Sequence, residues 1–218
     1  MTDALHLARD REPLALSLRA QELEFNSRGD RVSGILLCPA SGAGAYPLVL
    51  VAHALGDSAA GVLGALGASG LPDAALAAID FPLHGARADQ KLLRLLQNGN
   101  ARCVGLAEEF AQQAVIDLER ALDALAAAAP IDARRIAYVG FGLGAQIGAA
   151  FCALDPRPAA IVLAPGAGGA LAAAPDPECY LARIAPRPLL RVTEPPRTAA
   201  AAIWEFLRQN LAPRRQPL

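Results

Sequence analysis

The sequence predicts an α/β fold, a mostly parallel β-sheet with helices on both faces and an antiparallel hairpin at its N-terminal end. Short continuous apolar runs recur at 46–52, 75–79, 135–139, 159–163 and 188–192, as expected of strands buried on both faces. Helical periodicity fills most of the gaps between them. Ahead of the first run, two segments alternate apolar and polar residues around a cluster of turn formers.

The hairpin comes first. Leu16 to Phe25 and Arg31 to Leu37 alternate on either side of Asn26-Ser27-Arg28-Gly29-Asp30, a set of turn residues. Tyr46 to Ala52 (Y-P-L-V-L-V-A) then opens the parallel part. A helix is predicted over 107–129, with Ile116, Leu118, Leu122 and Leu125 on its periodic face and Pro130 as its stop. Gly144 to Leu154 is the helix after the fourth strand-like segment. Ala199 to Leu211 is the last, with Ile203, Trp204, Phe206 and Leu207 to bury. Residues 1–13 read as a flexible leader, 14–212 as a single domain and 213–218 as a tail. The Pro/Gly-rich stretches 164–178 and 212–218 read as surface loops.

Composition narrows the function classes. With 218 residues, 54% of them hydrophobic, the chain buries roughly 70% of its unfolded surface and needs no disulfide or metal staple. A formal net charge of -1 argues against nucleic acid or an anionic membrane as the main partner. Cys38, Cys103, Cys152 and Cys179 form no C-x-x-C pair and read as structural. Met1 to Pro13 has no basic-then-apolar secretory pattern, and Val62 to Ala78 is cut by Pro72 and Asp73. The expected location is the cytoplasm, with no cofactor.

In an open parallel sheet, ligands bind beyond the carboxyl ends of the strands. There the sequence places His53-Ala54-Leu55-Gly56-Asp57-Ser58, Asp80-Phe81-Pro82-Leu83-His84-Gly85-Ala86-Arg87, Gly140-Phe141-Gly142-Leu143-Gly144-Ala145 and Thr193-Glu194-Pro195. Two of the three histidines thus project onto one rim beside a glycine turn. Gly140, Gly142 and Ala145 satisfy the dinucleotide pattern G-x-G-x-x-G/A. That pattern also asks for an acidic residue after the next strand, where Ile161-Val162-Leu163-Ala164-Pro165-Gly166 has none. His53, Asp57, Asp80, His84 and Asp89 are metal-ligand types without metal-site spacing, so no metal is expected.

The order of these pieces resembles the α/β-hydrolase superfamily, nearest its dienelactone-hydrolase and acyl-esterase branch. The resemblance runs over roughly residues 18 to 190: strand, His-x-x-Gly loop, strand, Asp-x-Pro-x-His-Gly, long helix, strand, Gly-Phe-x-Leu-Gly-Ala, helix. It implies a nucleophile elbow, G-x-S-x-G, with oxyanion donors from the next backbone N–H and from an earlier loop. Those donors map to Leu143 and to Ala54 or Leu55.

Each reactive position departs from that pattern. Gly142 stands where the nucleophile belongs, and glycine has no atom to attack a carbonyl. No serine follows Ser69 and no histidine follows His84. The family's late stretch with Asp and Gly-His is missing, which implies a fold shortened at its C-terminal end and a sheet edge open to self-association. His84 and His53 are the remaining candidate bases, although the family mostly uses such histidines to brace loops. Glu194 has nothing to orient and reads as surface. Cys152 lies about three turns beyond the elbow, too far to replace the nucleophile.

The sequence therefore predicts a hydrolase-like scaffold without hydrolase chemistry. The expected ligand is small and acyl- or ester-like, bound by His53, Ala54, Leu55, His84, Gly142 and Leu143; a protein partner or a second copy is the other expectation. The alternatives are proton transfer or isomerisation in the same pocket and, behind it, dinucleotide binding.

Overall fold

The computed structural model describes residues 6–11, 18–40, 45–67, 71–97, 104–166 and 176–212. In chain order the elements are β1 (His6–Arg11), β2 (Leu18–Ser27), β3 (Asp30–Pro39), β4 (Tyr46–Ala52), α1 (Ala59–Leu66), β5 (Ala75–Ile79), a 3₁₀ turn (Gly85–Arg87), α2 (Gln90–Gln97), α3 (Val104–Ala128), β6 (Ile131–Phe141), α4 (Leu143–Leu154), β7 (Pro158–Ala164), α5 (Glu178–Ile184), β8 (Leu189–Arg191) and α6 (Pro196–Leu211).

They form one eight-stranded sheet in the order β1-β2-β3-β5-β4-β6-β7-β8. β1, β2, β3 and β5 pair antiparallel in turn, and from β5 through β4, β6, β7 to β8 every pairing is parallel. The sheet ends at β8, and α6 is the last element described. The leader expected over 1–13 is corrected by β1, which pairs with β2 from His6↔Glu24 to Arg11↔Ala20. The hairpin β2–β3 therefore lies one strand in from the edge. Backbone pairing supplies that order, a drive that hydropathy over so short a segment does not reveal.

Side-chain alternation along the central strands divides the core into two layers. Leu48, Leu50 and Ala52 of β4 face α3 and α4, together with Tyr138 of β6 and Leu96 of α2. Val49 and Val51 face the other way, toward Val62 and Leu63 of α1 and Ile203, Trp204 and Leu207 of α6. Both faces of the parallel strands are covered, which is why those strands read as continuous apolar runs.

The short helices α1, α2 and α5 are additions to what periodicity predicted, and β6 is longer at both ends than the 135–139 run. Of the two expected surface loops, most of 164–178 and of 212–218 lies outside the described residues, as does Cys103. No described helix is long and apolar enough to cross a membrane.

Candidate functional site

The site is built where β4, β5 and β6 end. Gly142 joins β6 to α4 with φ 52° and ψ -112°, a conformation strained for side-chain-bearing residues and open to glycine. This is the sharp strand-to-helix elbow the resemblance implied. Gly144 is needed next to it for another reason, since a Cβ there would lie 2.5 Å from the Ala52 carbonyl oxygen. That close approach lets the Gly144 amide donate to the His53 carbonyl at 3.0 Å, tying the His53 loop to the elbow. From the opposite side, the hydroxyl of fully buried Tyr138 donates to the Gly144 carbonyl at 2.6 Å.

Most amides at the elbow are already engaged. Gly142 donates to the Ala164 carbonyl at 2.9 Å, while Ala145 and Gln146 donate to the Gly142 carbonyl. The first N–H groups of a helix have no intrahelical acceptor, and the Leu143 N–H has none elsewhere among the described residues. The N–H groups of Ala54 and Leu55 are likewise without an acceptor among the described residues. These are the three backbone positions that the resemblance assigns to an oxyanion hole. Gly142 and Leu143 are buried, and Ala54 and Leu55 are half-buried.

The two histidines lie on this rim, with ring centroids 5.0 Å apart. His53 is fully buried and spends both ring nitrogens on the backbone. Nε2 accepts the Phe81 amide at 3.1 Å, which leaves Nδ1–H to donate to the Ala54 carbonyl at 2.8 Å. Burial pulls its pKa down to about 4 from 6.5, so the ring is neutral. A base needs a free lone pair, so of the two readings of His53 the geometry favours the loop brace over the base.

His84 is only 2% exposed, and burial lowers its pKa as well. Its Nδ1 bonds the Pro82 carbonyl at 2.8 Å, but Nε2 has no partner among the described residues. Phe110 of α3 closes the other side, 5.9 Å from the His84 ring.

The carboxylates named with these histidines are committed to the backbone. Asp80 Oδ1 accepts the Ala59 amide and Oδ2 the Ala86 amide, each at 2.8 Å, so this one side chain binds the start of α1 to the 3₁₀ turn. Asp57 Oδ1 accepts the Ser58 amide, and Asp89 caps the start of α2 through the Lys91 and Leu92 amides. No group of three or more metal-ligand side chains forms among the described residues. Glu194 is exposed and accepts its neighbour's Thr193 amide. Cys152 is wholly buried in α4, where burial pushes the thiol well up, away from the reactive thiolate.

One network escaped the sequence reading. Arg87 donates to the Asp80 carbonyl and, at 2.6 Å, to Asp117 of α3, whose carboxylate is fully buried. Gln113 donates to the second Asp117 oxygen at 2.7 Å and to Ser27 Oγ at 3.3 Å, which brings in the end of the hairpin. The legible signal was an aspartate one residue from Leu118 on the buried side of an apolar helix, which calls for a cation.

This elbow, set between a parallel sheet and two rim loops, defines an α/β-hydrolase-like fold. No protein-family model matches the sequence, and no curated protein matches it. Solved structures do. A cold-adapted esterase from an Arctic intertidal metagenomic library has 18% identity over 94% of this chain and 99% of its own, with a TM-score of 0.69. An acetyl xylan esterase from Paenibacillus sp. R4 has 18% identity over 96% of this chain and 79% of its own, with a TM-score of 0.59. A Klebsiella pneumoniae protein assigned as a dienelactone hydrolase has 17% identity over 88% and 83%, with a TM-score of 0.56. At such identities the likeness establishes the fold alone.

Proposed function

We propose that the chain is a non-hydrolytic protein of the α/β-hydrolase fold that binds a small acyl or ester-like molecule at the elbow. The observation that carries this is a combination at one place. The elbow backbone and three unbonded amides, Ala54, Leu55 and Leu143, are retained, while the elbow residue itself is Gly142. Such amides suit a carbonyl or carboxylate oxygen. Without a side-chain nucleophile the acyl-enzyme route cannot begin, so the bound ester is held and not cleaved. The 3.0 Å bond between Gly144 and His53 fixes the two donor loops to each other, which favours recognition of one oxygen by both.

Dinucleotide binding has less support, because a pyrophosphate would need the amides of Gly144, Ala145 and Gln146, and these are spent within the fold. Proton transfer keeps one supporting observation, the unpartnered Nε2 of His84. Thermal-shift screening against short-chain acyl esters, lactones and carboxylates tests the binding reading, since a ligand of the native state raises stability by mass action. Stabilisation by ester or acyl compounds without turnover supports it. No shift with any of them, or turnover lost in His84→Gln, would replace it.

A further inference from the structure

We propose that two copies of the chain associate by seating α2 of each in the groove between α3 and α4 of the other. This goes beyond the non-hydrolytic reading and does not depend on it. The two surfaces that would meet are complementary in shape class and in charge.

The first is α2, Gln90-Lys91-Leu92-Leu93-Arg94-Leu95-Leu96-Gln97. Leu93 and Leu96 are buried in the chain's own core, whereas Leu92 is half-buried and Leu95 is 39% exposed. Leu92 and Leu95 are three apart and share one side of the helix, with Lys91 and Arg94 forming the adjacent stripe. Neither cation pairs with a described acid. A short helix that offers a second leucine face beside free positive charge is built for a groove that is apolar and acid-rimmed.

Such a groove of about 600 Å³ lies on the same side of the sheet. Val115 and Ile116 of α3, Ile147 and Ala150 of α4 and Tyr180 of α5 give it apolar walls. Among the described residues, Glu108 and Glu119 are its charged lining residues, and no Lys, Arg or His lines it. Burial and the nearby Asp155 push the Glu119 carboxyl up, against the opposing pull of Arg157 and Arg120. Glu108 and Glu119 are eleven residues apart on α3, about 16 Å, against about 12 Å for the whole of α2, so the groove can take the helix between its acids.

Closure follows from placement. Because helix and groove share one face, a two-fold axis on that face can bring both pairs together, whereas surfaces on opposite faces would generate an open chain. One eight-residue helix falls well short of the roughly 800 Å² per partner of a stable interface, and reciprocity doubles what each copy contributes. The expected product is a salt-sensitive dimer of modest affinity.

Sedimentation velocity of the full chain, from low micromolar to near-millimolar concentration, tests this. The wild type should pass from monomer to dimer. Leu95→Asp, Lys91→Glu with Arg94→Glu, and Glu108→Lys with Glu119→Lys should each weaken association by about tenfold or more. Mixing the two double variants should restore a dimer, because every helix then faces a groove of opposite charge. Circular dichroism checks that each variant folds; Lys91, Arg94 and Glu108 are exposed and Glu119 is half-buried, so the helix charge variant decides the matter if another variant does not fold. A monomer at every concentration overturns the proposal, as does a dimer indifferent to these changes or a failure of the mixed charge variants to pair.

Discussion

The backbone amide of Phe81 donates to Nε2 of His53 across 3.1 Å, joining the loop after β5 to the loop after β4. An imidazole that accepts this bond at Nε2 and donates from Nδ1 to Ala54 cannot take up a proton without losing one of the two. That relationship makes His53 a hinge pin of the rim. It also gives the fold a sensitivity to acid.

The sign follows from the pKa. In the folded chain His53 titrates near 4, below its ordinary 6.5, so between these values the unfolded chain binds a proton that the native state refuses. Stability should be level above about pH 6.5 and should fall toward pH 4, by up to about 1.4 kcal/mol per pH unit from this group. Burial lowers the His84 pKa too, which steepens the same limb. Urea unfolding at half-unit steps of pH would check it; a flat profile between pH 7 and pH 5 would mean that His53 titrates normally.

Asp80 should behave as a fastener. In Asp80→Ala, the Ala59 and Ala86 amides both lose their acceptor, with an expected cost of about 2–4 kcal/mol. Asp80→Asn keeps one acceptor and places an NH₂ against the other amide, so an intermediate loss is expected. Equal stability of all three proteins in denaturant unfolding would remove Asp80 from this role.

The Arg87–Asp117 pair predicts an asymmetry. Arg87→Met strands a fully buried carboxylate with only Gln113 for company, and should cost about 3–5 kcal/mol. Arg87→Met combined with Asp117→Leu should recover much of that, since a well-packed apolar pair often matches a buried ion pair. Melting temperatures of the single and double variants read the difference.

Gly144→Ala should be poorly tolerated although it lies in a helix, where alanine is normally favoured. Its Cβ would collide with the Ala52 carbonyl oxygen at 2.5 Å, forcing the elbow away from β4. The measurable result is a lowered melting temperature together with loss of any acyl-ligand stabilisation.

How much of this was legible beforehand depended on the kind of interaction. Strands β4, β5, β6 and β7 were readable because burial on both faces leaves uninterrupted apolar runs such as Leu48 to Ala52, whereas β8, at the sheet edge, is half-buried or exposed. The elbow was readable because glycines at 140, 142 and 144, closely spaced at the passage from strand to helix, allow a positive φ and close backbone approach that other residues do not. β1 was not, since its place is fixed by pairing with β2 and its sequence, His-Leu-Ala-Arg-Asp-Arg, does not alternate cleanly. The roles of Asp80 and Asp117 were also hidden, because their partners lie 21 and 30 residues away along the chain. For the same reason the roles of His53 and His84 needed the geometry. Sequence placed both on the rim, but only the contacts separate a ring with both nitrogens engaged from one with Nε2 free.

The most direct test of the proposed non-hydrolytic role is intact-mass analysis after exposure to a serine-directed fluorophosphonate, run beside an ester-hydrolysis assay. Gly142 offers no nucleophile, so the native protein should gain no adduct and turn over simple esters only feebly, by whatever stabilisation its unbonded amides give. Gly142→Ser should stay unlabelled as well, because His53 has both ring nitrogens engaged and no histidine follows His84; labelling of that variant alone would mark His84, through its Nε2, as a base within reach. A stoichiometric adduct on the native chain would contradict the account at its centre.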